Sequence, residues 1–383
     1  MKAALITYSR AKNYGGMLQA YALYKYLEDA GHDVEFIDYI LPRSNIYDPN
    51  KFTELQTRKS RLWGKNKLMQ IIWRMTKFPK IKKDYLKFAE FIEKRAKFTQ
   101  KYFTYEELVS DPPHADIYIT GSDQIWNPQF TEDQKPELPF FLGFAKGKKI
   151  SYASSFGVTD ISTESKQIIV PYLQEYAYIS VREKSGQELL QELGIASEVV
   201  LDPTMLCDKK MWMDLCDKRM IQGKYAILYQ VIFDKRIYDL AQQLCQSRGL
   251  KLYVVTMNRR DAHVGVGNVI MTPSIQEWLS YIRYSDLVVT ESFHATVFSI
   301  LFKREFIVNS ATRKGMSTRI SNLLNILDIS DRELTSFEEC AADEIFRKSV
   351  DWEAVESKLV SEQKKSRRWL DNAMNTSKGE GRC

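Results

Sequence analysis

The alternation of strand-like and helix-like stretches constrains this chain more than any other feature. "KAALITY" (Lys2–Tyr8) is a short apolar run, and "SRAKNYGG" interrupts it. In "MLQAYALYKYLEDAG" the residues Met17, Ala20, Leu23, Tyr24 and Leu27 then recur at helical spacing, with Gly31 as a stop. "DVEFIDYI" supplies a second strand, so the N-terminus reads as a βαβ unit with its glycine turn at the carboxyl end of a strand. The pattern repeats in "ADIYITGSDQIWNP", "KKISYASSFG", "YAYISVREKSGQELLQELGI" and "EVVLDP". A second series follows: "KYAILYQVI", "DKRIYDLAQQLCQSRG", "KLYVVTM", "SIQEWLSYIRYS", "DLVVTE", "FHATVFSILFK" and "EFIVNS".

Two consecutive sets of βα units in 383 residues, more than one core usually supports, predict an α/β protein of two Rossmann-like doubly wound domains facing a cleft. The first domain is expected over 1–203, with a basic helical insertion at about 46–105, and the second over 204–350. A helix at 351–374 is expected to pack across the domains, and 375–383 to form a flexible tail.

Composition narrows the class. At 44% hydrophobic and 12% aromatic the chain is globular, and no run of about 18 apolar residues offers a spanning helix. The N-terminus reads as a strand rather than a secretory signal. Cys207, Cys216, Cys245, Cys340 and Cys383 are scattered without a CxxC pair, which argues against a zinc site or disulfide framework and for a reducing, cytoplasmic setting. The net charge of +6 is concentrated in 51–101, where Leu68, Met69, Ile71, Ile72 and Trp73 interleave with lysines and arginines. Two readings are open for that segment: a solvated helical face, or contact with anionic lipid at the inner face of a membrane or with a diphosphate-linked substrate. No nucleic-acid recognition motif accompanies it.

Ligands of such folds bind beyond the carboxyl ends of the strands. Four clusters fall there. Asn13, Tyr14, Gly15 and Gly16 form a turn before a helix whose free N–H groups can hold an anion or sugar hydroxyls, or that is simply a tight turn. Ser122, Asp123, Gln124 and Trp126 set polar groups beside an aromatic face, as a sugar needs, unless Asp123 caps a turn and Trp126 lies in the core. Arg182 ends a strand and suits a carboxylate or phosphate, or else a surface ion pair. Glu291, Ser292 and His294 lie where strand gives way to helix, and Arg313, Lys314 and Arg319 follow the next strand. An imidazole there can exchange protons near neutral pH, and the cations beside it favour an anionic ligand. His32, His114 and His263 lie in expected loops and are given structural or solvent-facing roles.

In this order the segments "NYGGMLQAYALYKYLEDAGHDVEFIDY", "GSDQIWNP", "SYASSFG", "SVREKSGQELLQELG", "VVLDPTML", "ESFHATVFSILF" and "STRISNLLNILDI" resemble the polysaccharide pyruvyl transferase family. The resemblance runs from Lys2 to about Ile329. It implies two Rossmann-like domains resembling the glycosyltransferase-B architecture. It also implies transfer of a pyruvyl group from phosphoenolpyruvate to a sugar or lipid-linked oligosaccharide of a surface or capsular polysaccharide precursor, forming a pyruvate ketal. The family's "S-x-R-E"-like turn places its arginine at Arg182, and its late-helix histidine falls at His294. Where many members carry Arg-Leu-His, this chain has Ser292-Phe293-His294, so Arg313 or Arg319 is expected to supply the charge missing at 292.

The chemistry needs cations for the two anionic groups of phosphoenolpyruvate, a proton donor and a base for hydroxyls. Arg182, Ser292, Arg313, Lys314 and Arg319 are the donor-binding candidates, in the second domain apart from Arg182. His294 and Asp123 are the catalytic ones. Asn13, Tyr14, Gly15, Gly16, Ser122, Gln124 and Trp126 are the acceptor-binding set. No metal and no cofactor is expected beyond phosphoenolpyruvate as co-substrate. A nucleotide-sugar glycosyltransferase of the same architecture and a non-catalytic glycan-binding protein are the alternatives. The sequence leaves the oligomeric state open.

Overall fold

The computed structural model describes residues 1–40, 66–131, 134–258, 260–311, 318–337 and 349–375. A first sheet contains β1 (Lys2–Ile6), β2 (Asp33–Tyr39), β3 (Phe98–Tyr102), β4 (Ile117–Thr120), β5 (Lys148–Ser154), β6 (Tyr178–Val181) and β7 (Glu198–Val199), in the order β3-β2-β1-β4-β5-β6-β7. The helices along this stretch of the chain are α1 (Tyr14–Asp29), α2 (Lys67–Glu93), α3 (Tyr105–Ser110), α4 (Thr163–Leu173) and α5 (Lys184–Glu192). A second sheet contains β8 (Tyr225–Tyr229), β9 (Lys251–Thr256), β10 (Asn268–Met271), β11 (Leu287–Thr290), β12 (Glu305–Asn309) and β13 (Glu333–Leu334), in the order β10-β9-β8-β11-β12-β13. Its helices are α6 (Lys209–Leu215), α7 (Lys235–Arg248), α8 (Ile275–Arg283), α9 (Phe293–Leu301), α10 (Thr318–Leu327) and α11 (Trp352–Asn375).

Pairing within each sheet is parallel. Each sheet has the Rossmann order, in which the chain steps outward from a central strand and then reverses. The reversals fall between β1 and β4 and between β8 and β11, where the loops leaving adjacent strands part and open a crevice. The two doubly wound sheets expected from the sequence are therefore present.

Local chemistry explains the elements that flank those points. The Asn13 side chain accepts from the Gly16 N–H and caps α1, which is buried along most of its first three turns. In α7, Ile237, Ala241, Leu244 and Cys245 lie on one face and pack against Leu228 and Val254 of the sheet. The short α9 is mostly apolar, with the Thr296 and Ser299 hydroxyls donating back to its own turn, and every one of its residues is buried, which makes it a central helix.

The described residues divide into two compact units, Met1–Ser154 with Ile161–Ile179, and Ser155–Asp160 with the chain from Ser180 onward. Residues 180–203, which the sequence pattern assigns to the first domain, thus belong to the second unit. Helix α11 belongs to it too: Ser366 Oγ accepts from the Leu201 N–H, and Gln363 and Arg367 donate to the Met205 and Leu206 carbonyls. The expected insertion is not helical throughout, because Phe98–Tyr102 forms the edge strand β3. Arg313 and Lys314, the start of the insertion and the tail all lie outside the described residues.

Candidate functional site

The second unit gathers its polar groups around Asp202. This residue follows β7 and caps a single 3-10 turn, accepting from the Thr204 N–H at 3.0 Å and from Thr204 Oγ1 at 2.6 Å. Arg182, the residue after β6, donates through Nη1 to Asp202 Oδ2 at 2.7 Å. His294, in the first turn of α9, places Nε2 3.5 Å from the same oxygen. The exposures of Arg182, Asp202 and His294 are 3%, 1% and 7%, so a buried carboxylate links the arginine and the histidine. Burial pushes the Asp202 carboxyl up, but His294, Arg182 and Thr204 outweigh it and hold the group far below the usual carboxylate range.

Phe293 forms one wall. Its ring centroid lies 4.6 Å from the Arg182 guanidinium carbon and 5.9 Å from that of Arg319, and its plane stands edge-on to His294. Two cations thus share one aromatic ring. Glu183, fully buried, lies beside them with Oε2 3.9 Å from Arg182 Nε, while Oε1 accepts from Ser155 Oγ at 2.7 Å. The formal charges of Arg182 and Asp202 cancel. Arg182 therefore fixes Asp202 in place, and Arg319 is a second buried cation against the same ring.

Structure thus brings Arg182 and Arg319 of the expected donor set together with His294, one of the two expected catalytic residues. Ser292 is the N-cap of α9, with Oγ accepting from the Ala295 N–H at 3.4 Å. Glu291 is committed to the fold: Oε1 accepts from Val231 and Ile232 N–H at 2.7 and 2.6 Å and ties down the loop after β8. Asp202, Glu183 and Phe293 were missed as site residues. Asp202 sits in the quoted "VVLDPTML", and the signal was its position directly after a strand; nothing local announces that residues 182, 202 and 294 meet.

In the first unit the expected acceptor residues cluster where β1 and β4 part. Thr7 Oγ1 donates to the Ser122 carbonyl, and Ser122 Oγ donates to the Ala153 carbonyl. Asp123 is half-buried at φ +75°, a left-handed conformation that aspartate tolerates better than most residues. A Cβ placed on Gly16 would lie 3.4 Å from Asp123 Oδ2, so this carboxylate faces the first turn of α1, where the helix dipole favours negative charge. Gly15 and Gly16 are buried in that turn. Gln124 Oε1 accepts from Asn127 Nδ2.

Two expected acceptor contacts are corrected. Trp126 is 1% exposed, stacks on Phe141 and donates from Nε1 to the Phe140 carbonyl, so its face is used in the core and not offered to a sugar. Tyr14 is likewise fully buried, against Phe88.

Two parallel sheets in Rossmann order, each with polar groups at its switch point, place the chain in the glycosyltransferase-B-like class of α/β proteins. Similar solved structures include the S. aureus MnaA–UDP co-structure (TM-score 0.50, 11% identity, 94% of this chain and 90% of that one). The UDP-GlcNAc 2-epimerases of Neisseria meningitidis, bound to UDP-GlcNAc, and of Rickettsia bellii each give a TM-score of 0.50 at 9% identity. The first covers 98% of this chain and 99% of that one, the second 97% and 98%. At such identities the likeness is one of fold. No curated protein matches in sequence. The polysaccharide pyruvyl transferase profile matches residues 13–309, which include Arg182, Asp202 and His294. The chain belongs to the polysaccharide pyruvyl transferase family and is a transferase.

Proposed function

We propose that the protein transfers the pyruvyl group of phosphoenolpyruvate to two hydroxyls of a sugar in a polysaccharide precursor, forming a cyclic ketal and releasing phosphate. The observation that carries this reading is the buried Asp202 between Arg182 and His294, with Arg319 across the Phe293 ring. It pairs a proton-transfer group with a cation suited to a doubly anionic donor.

In this reaction C3 of the enol takes a proton and the first sugar hydroxyl bonds to C2, losing its own. The C2–O bond to phosphate then breaks, and the second hydroxyl bonds to C2 and closes the ring, its proton passing to the released phosphate, so donor and diol become ketal and hydrogen phosphate without water. His294 moves the proton, and Asp202 holds the imidazole and offsets positive charge on it. Arg319 binds the donor's phosphate or carboxylate and replaces the arginine absent at Ser292. Asp123 is the proposed base for the acceptor, with Asn13 beside it, while the fully buried Ser122 hydroxyl is committed to the Ala153 carbonyl.

Kinetics with phosphoenolpyruvate test the cation assignment. Arg319→Ala is expected to raise the KM for phosphoenolpyruvate by about tenfold or more, the scale of one charge-assisted hydrogen bond. If Arg319→Ala and Arg313→Ala each leave KM and kcat unchanged, the compensation for Ser292 is wrong. Release of a nucleoside diphosphate from a sugar donor, with phosphoenolpyruvate untouched, would favour the glycosyltransferase alternative.

A further inference from the structure

Helix α2 carries an apolar stripe that its own unit does not cover. Its C-terminal half packs inward through Ile81, Tyr85, Phe88 and Ile92, which share one face. Leu68, Ile71, Ile72 and Met75, at spacing i, i+3, i+4 and i+7, are instead exposed, Leu68 by 65% and Met75 by 72%. At about 100° per residue they lie on a face roughly 120° round the helix from the packed one, and exposed Leu86 continues the same line. A contiguous exposed stripe of large aliphatic side chains marks an interaction surface.

Its charge says what the surface meets. Lys82 and Lys83 flank the line of the stripe, with Lys80 next to Lys83 and Lys67 at the N-terminal end, and no acidic residue occurs in the helix before Asp84. Aliphatic side chains flanked by lysines complement an anionic lipid surface: the apolar groups enter the acyl boundary while the ammonium groups reach the headgroups. No helix among the described residues is long and apolar enough to cross a membrane. The segment would lie on a bilayer, not span one.

We infer that α2 docks the protein peripherally on a bilayer bearing anionic headgroups, through Leu68, Ile71, Ile72, Met75 and the surrounding lysines. The inference does not depend on the pyruvyl-transfer reading, because lipid binding is measured without donor or turnover.

The test is co-sedimentation of the full-length protein with vesicles of phosphatidylcholine alone and of phosphatidylcholine mixed with phosphatidylglycerol. Binding is expected to the mixed vesicles, to weaken as salt is raised, and to fall more than about tenfold in Ile71→Ser/Ile72→Ser/Met75→Ser. Lys80→Glu/Lys82→Glu/Lys83→Glu is expected to lose the preference for phosphatidylglycerol. These side chains are mostly exposed, so an unchanged melting temperature accompanies both variants. Absence of binding to the mixed vesicles, or equal binding by the serine variant, overturns the inference. So does a dimer in light scattering that the serine variant dissolves without vesicle binding, which would assign the stripe to a second copy of the chain.

Discussion

At the scale of single residues, His294 is the decisive group. It is buried, it stands in the first turn of α9, and Asp202 lies 3.5 Å from its Nε2. His294→Ala is expected to lower kcat by about 10²–10⁴-fold while the melting temperature shows a folded protein; retained activity would dismiss the role. Asp202 has a structural task as well. Asp202→Asn leaves Arg182 buried without its carboxylate and is expected to cost about 3–5 kcal/mol in urea unfolding. The pH dependence follows from the direction of its shift. A carboxyl held below its unfolded value of about 3.9 contributes stability that is present above that pH. The contribution is lost as pH falls from there towards the folded-state value. Wild type should thus lose stability with acidification more steeply than the asparagine variant over that window, and parallel curves would contradict the assignment.

At the scale of elements, much of the fold was legible because periodicity reports burial. Strands β1, β8 and β11 read as apolar runs, and α1 and α7 as faces at helical spacing. The misses are short or weakly apolar: β10 is four residues with no fully buried side chain, β13 is two, and β3 is mostly polar at a sheet edge. The candidate site was less legible. His294 and Arg182 stood out as polar groups ending strands, but their link through Asp202 joins residues far apart in sequence, which no local pattern encodes. Trp126 shows the opposite failure. Its polar neighbours suggested a sugar platform, yet the ring is stacked on Phe141. Trp126→Ala is expected to destabilise the protein by about 3–5 kcal/mol in chemical denaturation, as for a large core aromatic. Acceptor affinity should be unchanged in the folded fraction. Unaltered stability with weakened acceptor binding would restore the sugar-stacking role.

At the scale of the whole molecule, two Rossmann-type sheets do not choose a reaction, since sites rather than folds carry function. The choice rests on family membership and on the Arg182–Asp202–His294 arrangement. The most direct measurement is incubation of the protein with phosphoenolpyruvate and galactosyl, mannosyl or glucosaminyl acceptors, read by mass spectrometry and phosphate release. One phosphate is expected for each acceptor that gains a pyruvate ketal. A nucleoside diphosphate released from a sugar nucleotide, with phosphoenolpyruvate left intact under every acceptor, would contradict it.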